Sequence, residues 1–107
     1  MNYRQLGDLT FLIPMINNPY VRTFMQDYLH PILLHEESLQ TAITFVRAGG
    51  DYTMAADELC IHKNTVRYRM GKIKELLSPA DSENDFYAKL SSAIKVYLII
   101  QMQSQCE

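Results

Sequence analysis

The stretch Ala55-Ala56-Asp57-Glu58-Leu59-Cys60-Ile61-His62-Lys63-Asn64-Thr65-Val66-Arg67-Tyr68-Arg69-Met70 decides the reading of this chain. Ala55, Ala56 and Leu59 fall on one face at helical spacing. Val66, Met70, Ile73 and Leu77 repeat that spacing further on. Only Cys60-Ile61-His62 separates the two patterns, which leaves room for a turn and nothing more. A short helix over Thr53–Leu59, this connection, and a longer helix from Lys63 to about Leu77 have the proportions of a helix-turn-helix. The small Ala55 and Ala56 let the two helices cross closely. Ile61 is the apolar residue of the turn, and Val66 anchors the second helix against the first.

Outward from this pair the texture stays helical. Upstream, Leu39, Ala42, Ile43 and Val46 mark one face of a helix over about Glu36–Ala48. Gly49-Gly50 stops it, because glycine readily takes the left-handed geometry of a helix end. Downstream, Ser78-Pro79 ends the long helix. Ser82 then caps a last helix over about Glu83–Ser104, with Asp85 in its first turn, where negative charge suits the helix dipole. Phe86, Leu90, Ala93, Ile94 and Tyr97 form its core stripe. Asn18-Pro19 reads as a cap followed by proline at the first helical position. The helix it opens is expected to run to about Leu29, where Pro31 ends it, with Val21, Phe24 and Tyr28 as its stripe. Leu6–Ile16 carries Gly7 and Pro14 and reads as a short or kinked helix. Period-two alternation and hairpin turns are absent from the sequence. The expected fold is all-α with five to six helices. Residues 1–34 read as an N-terminal arm or linker, and residues 35–107 as the helix-turn-helix domain.

Composition sets the outer limits. With 107 residues the chain is one compact domain, or a domain plus an arm. The two cysteines, Cys60 and Cys106, form no CxxC pair, which excludes a zinc ribbon or a disulfide framework. A reducing, cytoplasmic compartment is therefore expected. No apolar run approaches the roughly 18 residues that a membrane helix needs, and Met1–Tyr3 lacks the basic start of a signal peptide. The net charge of −2 argues, taken alone, against a nucleic-acid partner.

Its distribution argues the other way. From Leu59 to Lys74 there is no acidic residue, and five basic ones occur: Lys63, Arg67, Arg69, Lys72 and Lys74. The rest of the chain then carries five basic against twelve acidic residues, a balance of −7. An ordinary solvated helix interleaves both signs, which gives stabilising pairs at i,i+4. A stretch with one sign only, carrying half of the chain's positive charge, points to a polyanion.

The helical wheel assigns roles. With Val66, Met70, Ile73 and Leu77 inward, Lys63, Asn64, Arg67, Gly71 and Lys74 lie on a neighbouring exposed stripe. In a major groove Arg67 suits guanine edges and Asn64 suits adenine, while Lys63 suits phosphate or guanine. Gly71 would let a DNA backbone come close, or is simply a tolerated surface glycine. Arg69 and Lys72 point elsewhere, to phosphate or to acidic partners. Tyr68 is a packing residue or a phosphate donor. Thr53 and Thr65 are caps or hydroxyl donors, with capping the better reading for Thr53. His62 caps the long helix or touches phosphate.

The eight residues His62-Lys63-Asn64-Thr65-Val66-Arg67-Tyr68-Arg69 resemble the signature of the C-terminal helix-turn-helix of PucR/CdaR-type bacterial regulators of purine or sugar-diacid use. That signature runs His, Arg or Lys, Asn, Thr, Leu or Val, Arg, Tyr, Arg. A weaker likeness extends from about Gly7 to Ile99 and includes Gly49-Gly50. Leu6-Gly7-Asp8-Leu9 resembles the segment that leaves the upstream domain in such regulators. Gly71 stands where the family more often has a basic residue. The resemblance implies an all-helical domain of a transcriptional regulator, binding double-stranded operator DNA as a dimer. It also implies an N-terminal sensor domain that this chain does not contain.

Other chemistries fail on spacing. His35-Glu36-Glu37-Ser38-Leu39 begins like a zinc-protease helix, but leucine stands where the second histidine must be. Gly49-Gly50-Asp51 lacks the Gly-Lys-Ser/Thr of a phosphate loop. No nucleophile–base–acid set is present, so neither an enzyme nor a cofactor is expected. Cys60 reads as a small buried hydrophobe. Val96, Ile99 and Ile100 on the last helix, and Phe11, Leu12 and Ile13 in the arm, are candidate dimer surfaces unless they pack internally. The rival to DNA binding is a protein-interaction module whose basic helix docks an acidic partner.

Overall fold

The computed structural model describes residues 18–105. They form five helices: α1 (Pro19–Leu33), α2 (Glu36–Arg47), α3 (Tyr52–Leu59), α4 (Lys63–Leu77) and α5 (Glu83–Gln105). No strand occurs among the described residues, as the all-α reading expects. The expected helix over Leu6–Ile16, with Phe11, Leu12, Ile13 and Pro14, lies outside them.

Four of the five helices start on a side-chain cap. The Asn18 side chain accepts from the Tyr20 N–H at 2.8 Å, with Pro19 next in line. Asp51 accepts from the Met54 N–H at 3.1 Å, His62 from the Asn64 N–H at 3.0 Å through Nδ1, and Ser82 from the Asp85 N–H at 3.1 Å. Such side chains satisfy backbone donors that a helix leaves without partners. α2 is the exception: His35 makes no side-chain cap, and Glu36 and Glu37 in the first turn complement the dipole instead.

Three local expectations need correction. First, α1 does not end before Pro31; it continues through it to Leu33. Proline removes the one N–H that would bond back to Asp27, and its ring crowds that carbonyl. Burial of Ile32 in the core holds the last turn in place. The buried face is also turned by one position. Met25, Leu29 and Ile32 are inside, Val21 and Tyr28 are half-buried, and Phe24 is exposed, its ring stacked on Tyr28. Second, Thr53 does not cap α3; Asp51 does, and α3 begins at Tyr52. Third, Cys60 is exposed rather than buried. It sits in the left-handed conformation at φ 58° and closes α3, with the Ile61 N–H returning to the Ala56 carbonyl at 3.1 Å. That reversal turns the Cys60 side chain outward and leaves Ile61 to pack.

The left-handed Cys60 carries a testable cost. A side chain at positive φ is strained by roughly 1–2 kcal/mol, and glycine relieves that strain while giving back part of it in unfolded-state entropy. Cys60→Gly is therefore expected to stabilise the fold by about 0.5–1 kcal/mol in urea denaturation. An unchanged or lower midpoint would contradict it.

The core lies between α1 and α5 on one side and the α2–α3–α4 cluster on the other. Ala42, Ala55 and Ala56 are buried where α2, α3 and α4 meet, so small side chains set the close crossing. Phe86, Leu90, Ala93 and Ile94 of α5 are buried as the stripe requires, with Tyr97 half-buried. Val96 and Ile99, read as part of a candidate dimer strip, are also buried within this single chain, and Ile100 is half-buried. A polar knot closes the base of α4. The Tyr28 hydroxyl hydrogen-bonds the buried Ser78 hydroxyl, and the Lys89 ammonium donates to Asp81 at 2.8 Å. The Lys89 hydrogen bond holds the Asp81 carboxyl below its ordinary pKa. Burial pushes the Tyr28 phenol up against the opposing effect of Ser78.

Candidate nucleic-acid interface

The site is one face of α4 together with the start of α3. Val66, Met70 and Ile73 are buried, and this fixes the rotation of α4. Lys63, Asn64, Arg67 and Gly71 are then exposed along one stripe, with Lys74 half-buried at its far end. A Cβ added at Gly71 would meet nothing within 4 Å, so the surface there is open.

Arg67 is held in place from two sides. Its guanidinium carbon lies 5.2 Å from the centroid of the Tyr52 ring, and its Nη1 donates to Asn64 Oδ1 at 3.4 Å. Tyr52 is half-buried. Its desolvated phenol is pushed above the usual pKa, with Glu83 adding to the rise and Arg67 opposing it. Tyr52 did not emerge from the sequence as a site residue, because it lies on a different helix and fifteen positions before Arg67.

The other cations have different surroundings. Arg69 is turned onto α2, 3.5 Å from the Glu37 carboxylate and 3.5 Å from the buried Thr41 hydroxyl. Of the two readings its sequence position allowed, it pairs with an acid. Lys72 lies 3.7 Å from Glu75 and 5.7 Å from the centroid of the exposed Tyr68 ring. Lys63 makes no ion pair among the described residues. His62 is exposed and accepts from the Asn64 N–H through Nδ1. Thr65 is half-buried in the first turn of α4, and Thr53 is exposed in the first turn of α3.

The stripe therefore presents a cluster of donors: the Lys63 ammonium, the Arg67 guanidinium and the Asn64 amide. Among the described residues there is no group of three metal-ligating side chains, and no helix is long and apolar enough to cross a membrane. Neither the curated proteins nor the solved structures yield a match to this chain. A family model does match, over residues 38–96, which is more than half of the sequence and covers most of α2, all of α3 and α4, and much of α5. The chain belongs to the PucR C-terminal helix-turn-helix domain family.

Proposed function

We propose that this domain binds double-stranded DNA in a transcriptional regulator, with α4 lying in the major groove. The observation that carries this reading is the exposed Lys63–Asn64–Arg67–Gly71 stripe on a helix free of acidic residues through Lys74. Asn64 and Arg67 face base edges, and Lys63 faces a base or a phosphate. His62, Thr53, Thr65, Tyr68, Lys72 and Lys74 serve the phosphate backbone. Arg69 serves the fold first, tying α4 to α2 through Glu37 and Thr41. The acidic balance of the remaining surface keeps other faces off the duplex and favours one docking orientation.

One domain spans only a few base pairs, so a homodimer on repeated half-sites completes the reading. An effector would be sensed by an upstream domain, and the setting is the cytoplasm. The role is binding rather than catalysis.

The test is a salt titration with random duplex DNA. Each phosphate neutralised contributes about −0.9 to the slope of log affinity against log salt. With Arg69 held internally and Arg67 at base edges, Lys63, Lys72 and Lys74 give an expected slope of roughly −2 to −3 per domain. A slope near zero, or no binding at low salt, removes the DNA reading and leaves the acidic-protein partner in its place.

A further inference from the structure

Tyr52 stands outside the recognition helix, yet everything behind its ring is fixed. The ring packs on buried Phe45 with centroids 4.9 Å apart, and Phe45 meets the Tyr87 ring edge-on at 5.9 Å. Tyr87 in turn lies against Gly50, where an added Cβ would come within 3.1 Å of its Cε1. Gly50 sits at φ 83°, so the turn that delivers Tyr52 to the start of α3 needs glycine's backbone freedom and fits even a Cβ only tightly against Tyr87. The outer face of this supported row of rings carries the Arg67 guanidinium, which Asn64 also holds.

An arginine on an exposed helix face ordinarily samples many rotamers, and a ligand that uses it must first order it. A guanidinium resting on an aromatic face is already ordered and keeps its edge donors free. We infer that Tyr52 is a positioning residue: its ring pre-orders Arg67 for base readout and thereby contributes to sequence specificity without itself reading a base. This inference rests on the DNA-binding reading.

The experiment compares wild type, Tyr52→Phe, Tyr52→Leu, Arg67→Ala and the Tyr52→Leu/Arg67→Ala double variant, each checked for folding by circular dichroism. Binding is measured to a duplex selected from a random pool by the wild-type chain and to random duplex. The proton resonances of the Arg67 side chain are recorded without DNA. Tyr52→Leu is expected to weaken binding to the selected duplex by roughly 2- to 30-fold, the range of a cation–π contact, and to leave random duplex unchanged. Tyr52→Phe keeps the ring and is expected to stay within about twofold of wild type. In the Arg67→Ala background Tyr52→Leu is expected to do nothing further. The Arg67 protons are shifted upfield by the ring in wild type and Tyr52→Phe, and lose that shift in Tyr52→Leu. Equal losses on both duplexes, an equal loss in the Arg67→Ala background, or a Tyr52→Phe loss as large as that of Tyr52→Leu overturns the inference. A wild-type chain that binds no duplex overturns the DNA reading and this inference together. That result is distinguishable, because the upfield Arg67 shifts would persist.

Discussion

Arg67→Ala is expected to cost about 1–3 kcal/mol at the selected duplex, roughly 5- to 150-fold in affinity, with a much smaller loss on random DNA. The expectation follows from placement. Arg67 is exposed one turn into α4, on the stripe with Lys63 and Asn64, and its guanidinium lies over the Tyr52 ring and donates to Asn64. A fork-shaped group in that position can give two parallel hydrogen bonds to guanine. Arg67→Lys is expected to recover little, because an ammonium on a flexible stem offers no fork and gains less from an aromatic face. Measurement on both duplexes decides the role. A uniform loss across sequences assigns Arg67 to phosphate and ends its role in readout.

Leu90→Ala is expected to destabilise the domain by about 2–5 kcal/mol, against a typical total of roughly 5–15 kcal/mol. Leu90 has no exposed surface, and it sits on α5, the helix that packs on both α1 and α2. Truncation leaves a cavity that the surrounding helices cannot easily fill, since Ile94, Leu29 and Ile32 are equally buried and set their spacing. In a domain of this size the loss would lower the melting temperature by roughly 10–30 °C. Thermal and urea unfolding measure it directly. A loss below about 1 kcal/mol would mean that α5 is not the backbone of the core.

The parts of the fold that were readable in the sequence share a property: the pattern that specifies them is local. The stripe Val66–Met70–Ile73 gives both the extent and the rotation of α4, and Asn18-Pro19 and Ser82 announce the starts of α1 and α5. The misreadings arise where a distant contact outweighs a local rule. Pro31 is a helix terminator by its chemistry, but Ile32 is buried and the helix runs past it. Thr53 is a fair capping residue, but Asp51 is nearer to where the chain leaves the Gly49-Gly50 turn, and its carboxylate reaches the Met54 N–H. Cys60 has the composition of a buried residue and the backbone of a helix end, and the backbone prevails.

The candidate site divides the same way. The exposure of Lys63, Asn64, Arg67 and Gly71 follows from the wheel. That Arg69 points away from this stripe was also legible, with phosphate or an acid as its partner; the structure gives it the acid. Its partner Glu37 was not, because nothing local ties α2 to α4. Tyr52 had no signal of its own. An aromatic residue at the start of a short helix looks like core, and only the packing of α3 across α4 brings it to Arg67.

The path of α1 bears on where this molecule can be cut. The family match begins at residue 38, whereas Met25, Leu29 and Ile32 close the core from the other side of that boundary. A fragment trimmed to the matched segment would lose the hydroxyl that meets Ser78 at the foot of α4 and would bare the inner face of α5 to water. The region that carries the family likeness is thus smaller than the packed core. Moving this domain onto another protein calls for a splice ahead of Asn18, so that α1 and its cap travel with it.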